Sequence, residues 1–171
     1  MKLLGLDPGL KFTGWGVIEA HDNRLGFVAA GTIASDGALD LASRLDQLFE
    51  GIHGVIAEHA PAEAAVEETF VNKNAASALK LGQARGMSLL APARAGLPVF
   101  EYAPNLIKKT VVGTGHAAKE QVQMMVKTLL PTSRADSADA ADALAVAICH
   151  AHHRETAGRM EALVQAAGGG R

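Results

Sequence analysis

The 171 residues, 49% of them hydrophobic and 4% aromatic, suffice for one compact domain with a real core. A formal net charge of −2 excludes a uniformly basic nucleic-acid binder, and no apolar run is long enough to span a membrane. The single cysteine, Cys149, cannot form an internal disulfide, and the apolar start is too short, cut by Asp7, for a signal peptide; the expected setting is reducing and cytoplasmic.

Residues 2–7, KLLGLD, read as a buried strand that Pro8-Gly9 forbids from continuing. Residues 13–20 and 25–33 read as second and third strands joined by the turn residues His21-Asp22-Asn23, an antiparallel meander. From residue 39 to about 59, Leu41, Leu45, Leu48, Phe49, Ile52, Val55 and Ile56 recur at helical spacing, and Pro61 ends that helix. A short strand over 64–68, reached through this helical crossover, should lie parallel to the first. Residues 75–95 form a helix, 98–102 a fifth strand, 105–112 a short helix, and 120–130 and 136–153 two more helices. The expected fold class is therefore α/β, a mixed five-stranded sheet of three antiparallel strands followed by parallel ones, flanked by helices. Residues 1–157 make one domain; residues 158–171, ending in glycines, are expected to be a partly disordered tail.

Charge is unevenly distributed. Residues 70–127 hold eight Lys and Arg against two acids, while the remainder carries twice as many acids as bases. A basic segment inside an acidic chain fits a polyanion footprint, or equally a set of solvated helix faces.

The carboxylates say more. Asp7 closes the first strand and Glu67 the fourth, so parallel pairing would put them about 5 Å apart. Carboxylates that close repel each other and require a shared proton or a cation. Strand carboxyl ends are also where open α/β sheets hold ligands. Asp139 and Asp142, three residues apart in SADAADALAVA, share one helix face. Helix capping and the dipole would account well for Asp136, less well for Asp139 and poorly for Asp142. The alanines around the pair would leave room for a bulky group. Four carboxylates without histidine or cysteine describe a hard-cation site for Mg²⁺, or Mn²⁺ in its place. Two such ions about 4 Å apart would bracket a phosphodiester. Gly14 and Gly16 fit equally a strand kept low for a nucleic-acid backbone, or a bulge or tight packing against a helix.

These residues lie in motifs that resemble the bacterial RuvC-type Holliday junction resolvases of the ribonuclease H-like superfamily. The motifs are GLDPG at 5–9, AVEETF at 65–70, KNAASALKLGQARG at 73–86, PVFEYAPNLIKKTVVGTGHAAK at 98–119 and ADAADALAVA at 138–147. The resemblance implies a ribonuclease H-like fold, with Asp7, Glu67, Asp139 and Asp142 as catalytic metal ligands. It implies a DNA-wedging role for Phe70 and DNA contacts for Lys108 and Lys119, which Lys73 joins from the same basic segment. It also implies a homodimer acting on four-way junction DNA in recombination and repair, cutting symmetrically at thymine-containing sites, and contact with the branch-migration motor complex. A small-residue stripe on the 75–95 helix, Ala78, Gly82 and Gly86, is the expected subunit contact.

Other readings compete at particular residues. LDPGLKFTG would serve the phosphate loop of an actin-like kinase, but such enzymes clamp ATP between two duplicated domains. A compact RNA-cutting relative fits the central motifs poorly, and a non-catalytic junction binder leaves the acids unexplained. Cys149 and His153 have the spacing of metal ligands, but no second cysteine completes a zinc site. A buried thiol beside histidines at a helix C-terminus is the expected state.

Overall fold

The computed structural model describes residues 1–21, 24–68 and 74–168, with side chains as far as residue 156. Strands β1 (Lys2–Asp7), β2 (Phe12–His21) and β3 (Arg24–Ala34) are followed by α1 (Leu41–His59), β4 (Glu63–Glu67), α2 (Ala75–Arg94) and β5 (Val99–Tyr102). Helices α3 (Pro104–Val112), α4 (Lys119–Leu129) and α5 (Ala138–Gly168) complete the chain. The sheet runs β3-β2-β1-β4-β5, with β1 antiparallel to β2 and parallel to β4, the mixed topology expected. One bulge interrupts β2–β3 pairing at Val17/Ile18.

Strand alternation sorts the side chains into two cores. Leu4, Leu6, Val17, Ala64 and Val66 pack against Ile52, Val55 and Ile56 of α1 and Ala91 of α2. Leu3, Ile18 and Ala65 face the other way, onto Leu144 and Ile148 of α5, Ile107 of α3 and Val122 of α4. Leu144 and Ile148 are fully buried, and each stabilises the α5 seat by about 1.5–3 kcal/mol. Asp7 and Glu67 follow the second set in register, so both carboxylates lie on the α5 face.

Side chains cap the starts of α1, α2 and α5, whereas α3 and α4 begin at Ala103 and Ala118, which offer no capping side chain. Asp40 accepts the Ser43 amide at 3.0 Å, and Asn74 accepts those of Ala76 and Ser77 at 3.1 and 3.2 Å. At α5 the capping side chain is Ser137, whose Oγ accepts the Ala140 amide at 3.1 Å, rather than Asp136. Helix α5 also runs to Gly168 instead of ending near residue 153. RETAGRMEALVQAA lacks proline and is rich in strong helix formers, so Gly158 alone cannot stop it.

Candidate active site

Because Leu6 pairs with Val66 in the parallel β1–β4 ladder, Asp7 and Glu67 are the next residues along two neighbouring strands. The end of β4 is held from both sides. Glu68 donates its amide to Tyr102 O at 2.9 Å, and Arg85 of α2 donates Nε–H to Glu67 O at 3.4 Å while pairing with Glu101. Arg85 lay in the basic segment, but nothing in the sequence marked it as the brace of a carboxylate.

Helix α5 reaches these strand ends because its path over the sheet is paved with glycine. A Cβ on Gly14 would stand 2.1 Å from Asp139 O, one on Gly5 2.1 Å from Ala143 O, and one on Gly16 2.8 Å from Leu144 Cδ2. Gly14 is also the cross-strand partner of Asp7, and Gly16 that of Gly5. The glycines thus seat α5 directly on β1 and β2, which lands Asp139 and Asp142 beside Asp7. They are covered by the helix, so the reading of a strand lowered for a nucleic-acid backbone is corrected. The alanines take the same correction. Ala140, Ala141 and Ala143 are buried and let the helix lie close to the sheet, and of the four flanking alanines only Ala138 is exposed.

All four carboxylates are half-buried. Burial first, then the charges of Glu67, Asp142 and Asp139, push Asp7 from 3.8 up to about 8, against a smaller pull from Lys119. Glu67 is raised as well, by burial and then Asp142; a hydrogen bond from Asp7 and the nearby Lys108 and Lys119 oppose that shift. A proton shared between two carboxyl groups is what such crowding produces without a cation. Oxygen donors of this kind suit a hard divalent ion. Among the described residues no group of three or more His, Cys, Asp or Glu side chains is placed to hold a metal ion as it stands. Lys119 Nζ instead holds Asp142 Oδ2 at 2.7 Å, which in turn raises the lysine.

Lys108 and Lys119 are brought to the acids: with Glu67, Asp142, Pro104, Ile107, Val122 and Ala145 they line one cavity of about 210 Å³. Positive and negative groups sharing one mouth can hold a phosphodiester against the carboxylates. Phe70 and Lys73 lie outside the described residues.

The cysteine and histidine cluster is not a metal site among the described residues. Cys149 is buried, its thiol pushed up to about 11 by that burial. Since α5 continues past them, the histidines are not at a helix end. Buried His150 instead bridges Tyr102 Oη at 2.9 Å and Glu63 Oε2 at 2.8 Å, and His153 meets Thr110 Oγ1 at 3.2 Å. These contacts tie α5 to β4, β5 and α3, and no spacing rule points to them.

The family model for crossover junction endodeoxyribonuclease RuvC matches residues 3–150. A protein of that name from Paramagnetospirillum magneticum is 69% identical over 156 residues, 91% of this chain and 94% of the relative. Its Brucella ovis namesake is 59% identical over 167 residues, 96% of each. Among solved structures, Thermus thermophilus RuvC in complex with Holliday junction substrate superposes with a TM-score of 0.85 at 31% identity, covering 92% of this chain and 96% of that one. No described helix is long and apolar enough to cross a membrane. With most of its length matched and the fold shared, the chain belongs to the RuvC family of crossover junction endodeoxyribonucleases.

Proposed function

We propose that this protein resolves four-way DNA junctions by paired, symmetric nicks, hydrolysing one phosphodiester in each of two opposed strands. The observation that carries this reading is the gathering of Asp7, Glu67, Asp139 and Asp142 from β1, β4 and α5 at one end of one sheet face, beside Lys108 and Lys119. Asp7, Glu67, Asp139 and Asp142 would hold two Mg²⁺ or Mn²⁺ ions, whose chemistry there would be to activate water and stabilise the leaving oxygen. Lys108 and Lys119 bind backbone phosphate and neutralise the approach of DNA to an acidic pocket. Arg85 and Ser137 position: the first holds the Glu67 strand end, the second starts α5 so that Asp139 and Asp142 point at β1. Phe70 remains a proposed DNA contact on the family likeness and Lys73 on its place in the basic segment, while contact with the branch-migration motor rests on the likeness alone. Residues 1–157 are assigned to the nuclease domain.

A synthetic four-way junction tests this. In Mg²⁺ it should receive symmetric nicks in two strands of like polarity, and in EDTA none. Replacing Lys108 or Lys119 with alanine should flatten the salt dependence of junction binding by about one counterion each. Unchanged nicking in EDTA would overturn the metal assignment.

Two strands must be cut, so two sites are needed, and a C2 homodimer supplies them. Support comes from α2, where exposed Leu79 and Leu90 flank Gly82 and Gly86, and a Cβ on either glycine would meet open space. Such a face suits the close approach of a second copy. Sedimentation at micromolar concentration should give a dimer; a stable monomer would remove α2 from the interface.

A further inference from the structure

We propose that Lys11 and Phe12, at the start of β2, form a second DNA contact on the β2 side of the carboxylates, with Phe12 stacking on a base and Lys11 meeting phosphate. The proposal rests on the reading of this chain as a junction nuclease. A single exposed phenylalanine needs no explanation. Placement, support and charge set this one apart.

Phe12 belongs to the same alternating series as Gly14, Gly16 and Ile18, which faces α5 and the carboxylates. Gly14 pairs with Asp7 and lies under Asp139, but α5 starts at Ala138 and so gives out before Phe12 is covered. The ring, 42% exposed, therefore stands on the site's own face about 7 Å along β2 from the partner of Asp7. That is within reach of a nucleotide flanking a phosphate held at the carboxylates.

The backbone beneath it is braced well beyond what a surface loop requires. Leu10 O accepts the Ser35 hydroxyl and, at 3.3 Å, the Arg44 guanidinium. Lys11 O accepts the Ser35 amide at 3.0 Å, and Thr13 Oγ1 donates to Gly9 O at 2.8 Å. The turn is closed so tightly that a Cβ on Gly9 would stand 2.2 Å from Phe12 O. A rigid base cuts the ordering cost of stacking, because the ring is held before the nucleotide arrives.

Lys11 Nζ sits over the Phe12 ring, 5.2 Å from its centroid. An aromatic face for a base and a cation for its phosphate are the two parts of a single-strand contact. Lys11 also brings positive charge to a side of the site that the lysines of α3 and α4 do not cover.

The test uses the full chain in Mg²⁺ with Asp7→Asn, which keeps DNA intact, and a four-way junction carrying 2-aminopurine at the nucleotides flanking the cut phosphates. Phe12→Ala should weaken junction binding by roughly 5- to 100-fold, the loss of one stacked base, and abolish the fluorescence quench. Phe12→Trp should keep both. Lys11→Ala should flatten the salt dependence by about one counterion. Circular dichroism and melting check that each variant folds. Junction binding by Phe12→Ala within twofold of its parent, or equal loss in Phe12→Ala and Phe12→Trp, overturns the contact while leaving the nuclease reading intact. Failure of the Asp7→Asn parent to bind the junction overturns both.

Discussion

An Asp7→Asn variant is expected to bind a four-way junction with affinity comparable to the parent and to nick it more than about 100-fold more slowly, since even outer-shell partners of a metal are worth 10–100-fold. The amide keeps the shape of the carboxylate and its place at the end of β1 but cannot offer the charge that a hard cation requires. The same substitution should stabilise the metal-free protein. Asp7 is raised from 3.8 to about 8 in the folded chain, chiefly by burial and then by Glu67, Asp142 and Asp139. A carboxyl raised on folding contributes stability that is complete below about pH 4, where both states are protonated, and lost as pH climbs through about 8. In EDTA the melting temperature of Asp7→Asn should therefore exceed that of the parent by an amount that opens above pH 4 and is widest near pH 8. Several degrees are expected, as about 1 kcal/mol moves the midpoint of a chain this size by roughly 2–4 °C. Saturating Mg²⁺ should narrow the gap by stabilising the parent. Parental nicking by the variant, or melting curves that coincide at pH 8, would remove Asp7 from the centre of the site.

Much of this arrangement could be read before any coordinates, because the signals are local. Alternation and turn residues set out three antiparallel strands, helical spacing set out α1, and an aspartate or glutamate closing an apolar strand marked Asp7 and Glu67. The register then brings those two together without further adjustment. What escaped was whatever depends on the element lying overhead. Gly14 looks the same in sequence whether a helix or a nucleic acid is to cover it, and only the position of Asp139 O decides. Ala140 and Ala143 could equally have opened a pocket or sealed one. Arg85, Tyr102 and His150 escaped for a similar reason: each finds its partner 16 or more residues away, so no spacing rule could pair them. The extent of α5 is a different failure, since its continuation past His153 was legible in composition.

Gly14 carries the last prediction. Both atoms nearest its absent Cβ, Asp139 O at 2.1 Å and Asp139 C at 2.5 Å, are backbone, and neither can swing aside. Gly14→Val must therefore lift the first turn of α5 or bend β2, and Asp7 is the cross-strand partner that would bend with it. Forcing bulk into a packed contact costs about 1–3 kcal/mol. Melting should fall by between a few degrees and roughly 10 °C for a chain this size. The effect on nicking should be larger than instability explains, because misplacing catalytic groups by about 1 Å can cost 10²-fold. Assayed well below its melting point, Gly14→Val should cleave at least about 100-fold more slowly while still binding the junction. Gly54→Ala is the control: it lies in α1, where an added Cβ meets nothing within 4 Å, and should stabilise by about 0.5–1 kcal/mol with parental nicking. If Gly14→Val melted and cleaved like the parent, α5 would not be seated on β2 by that glycine. The convergence of Asp139 and Asp142 on Asp7 would then need another cause.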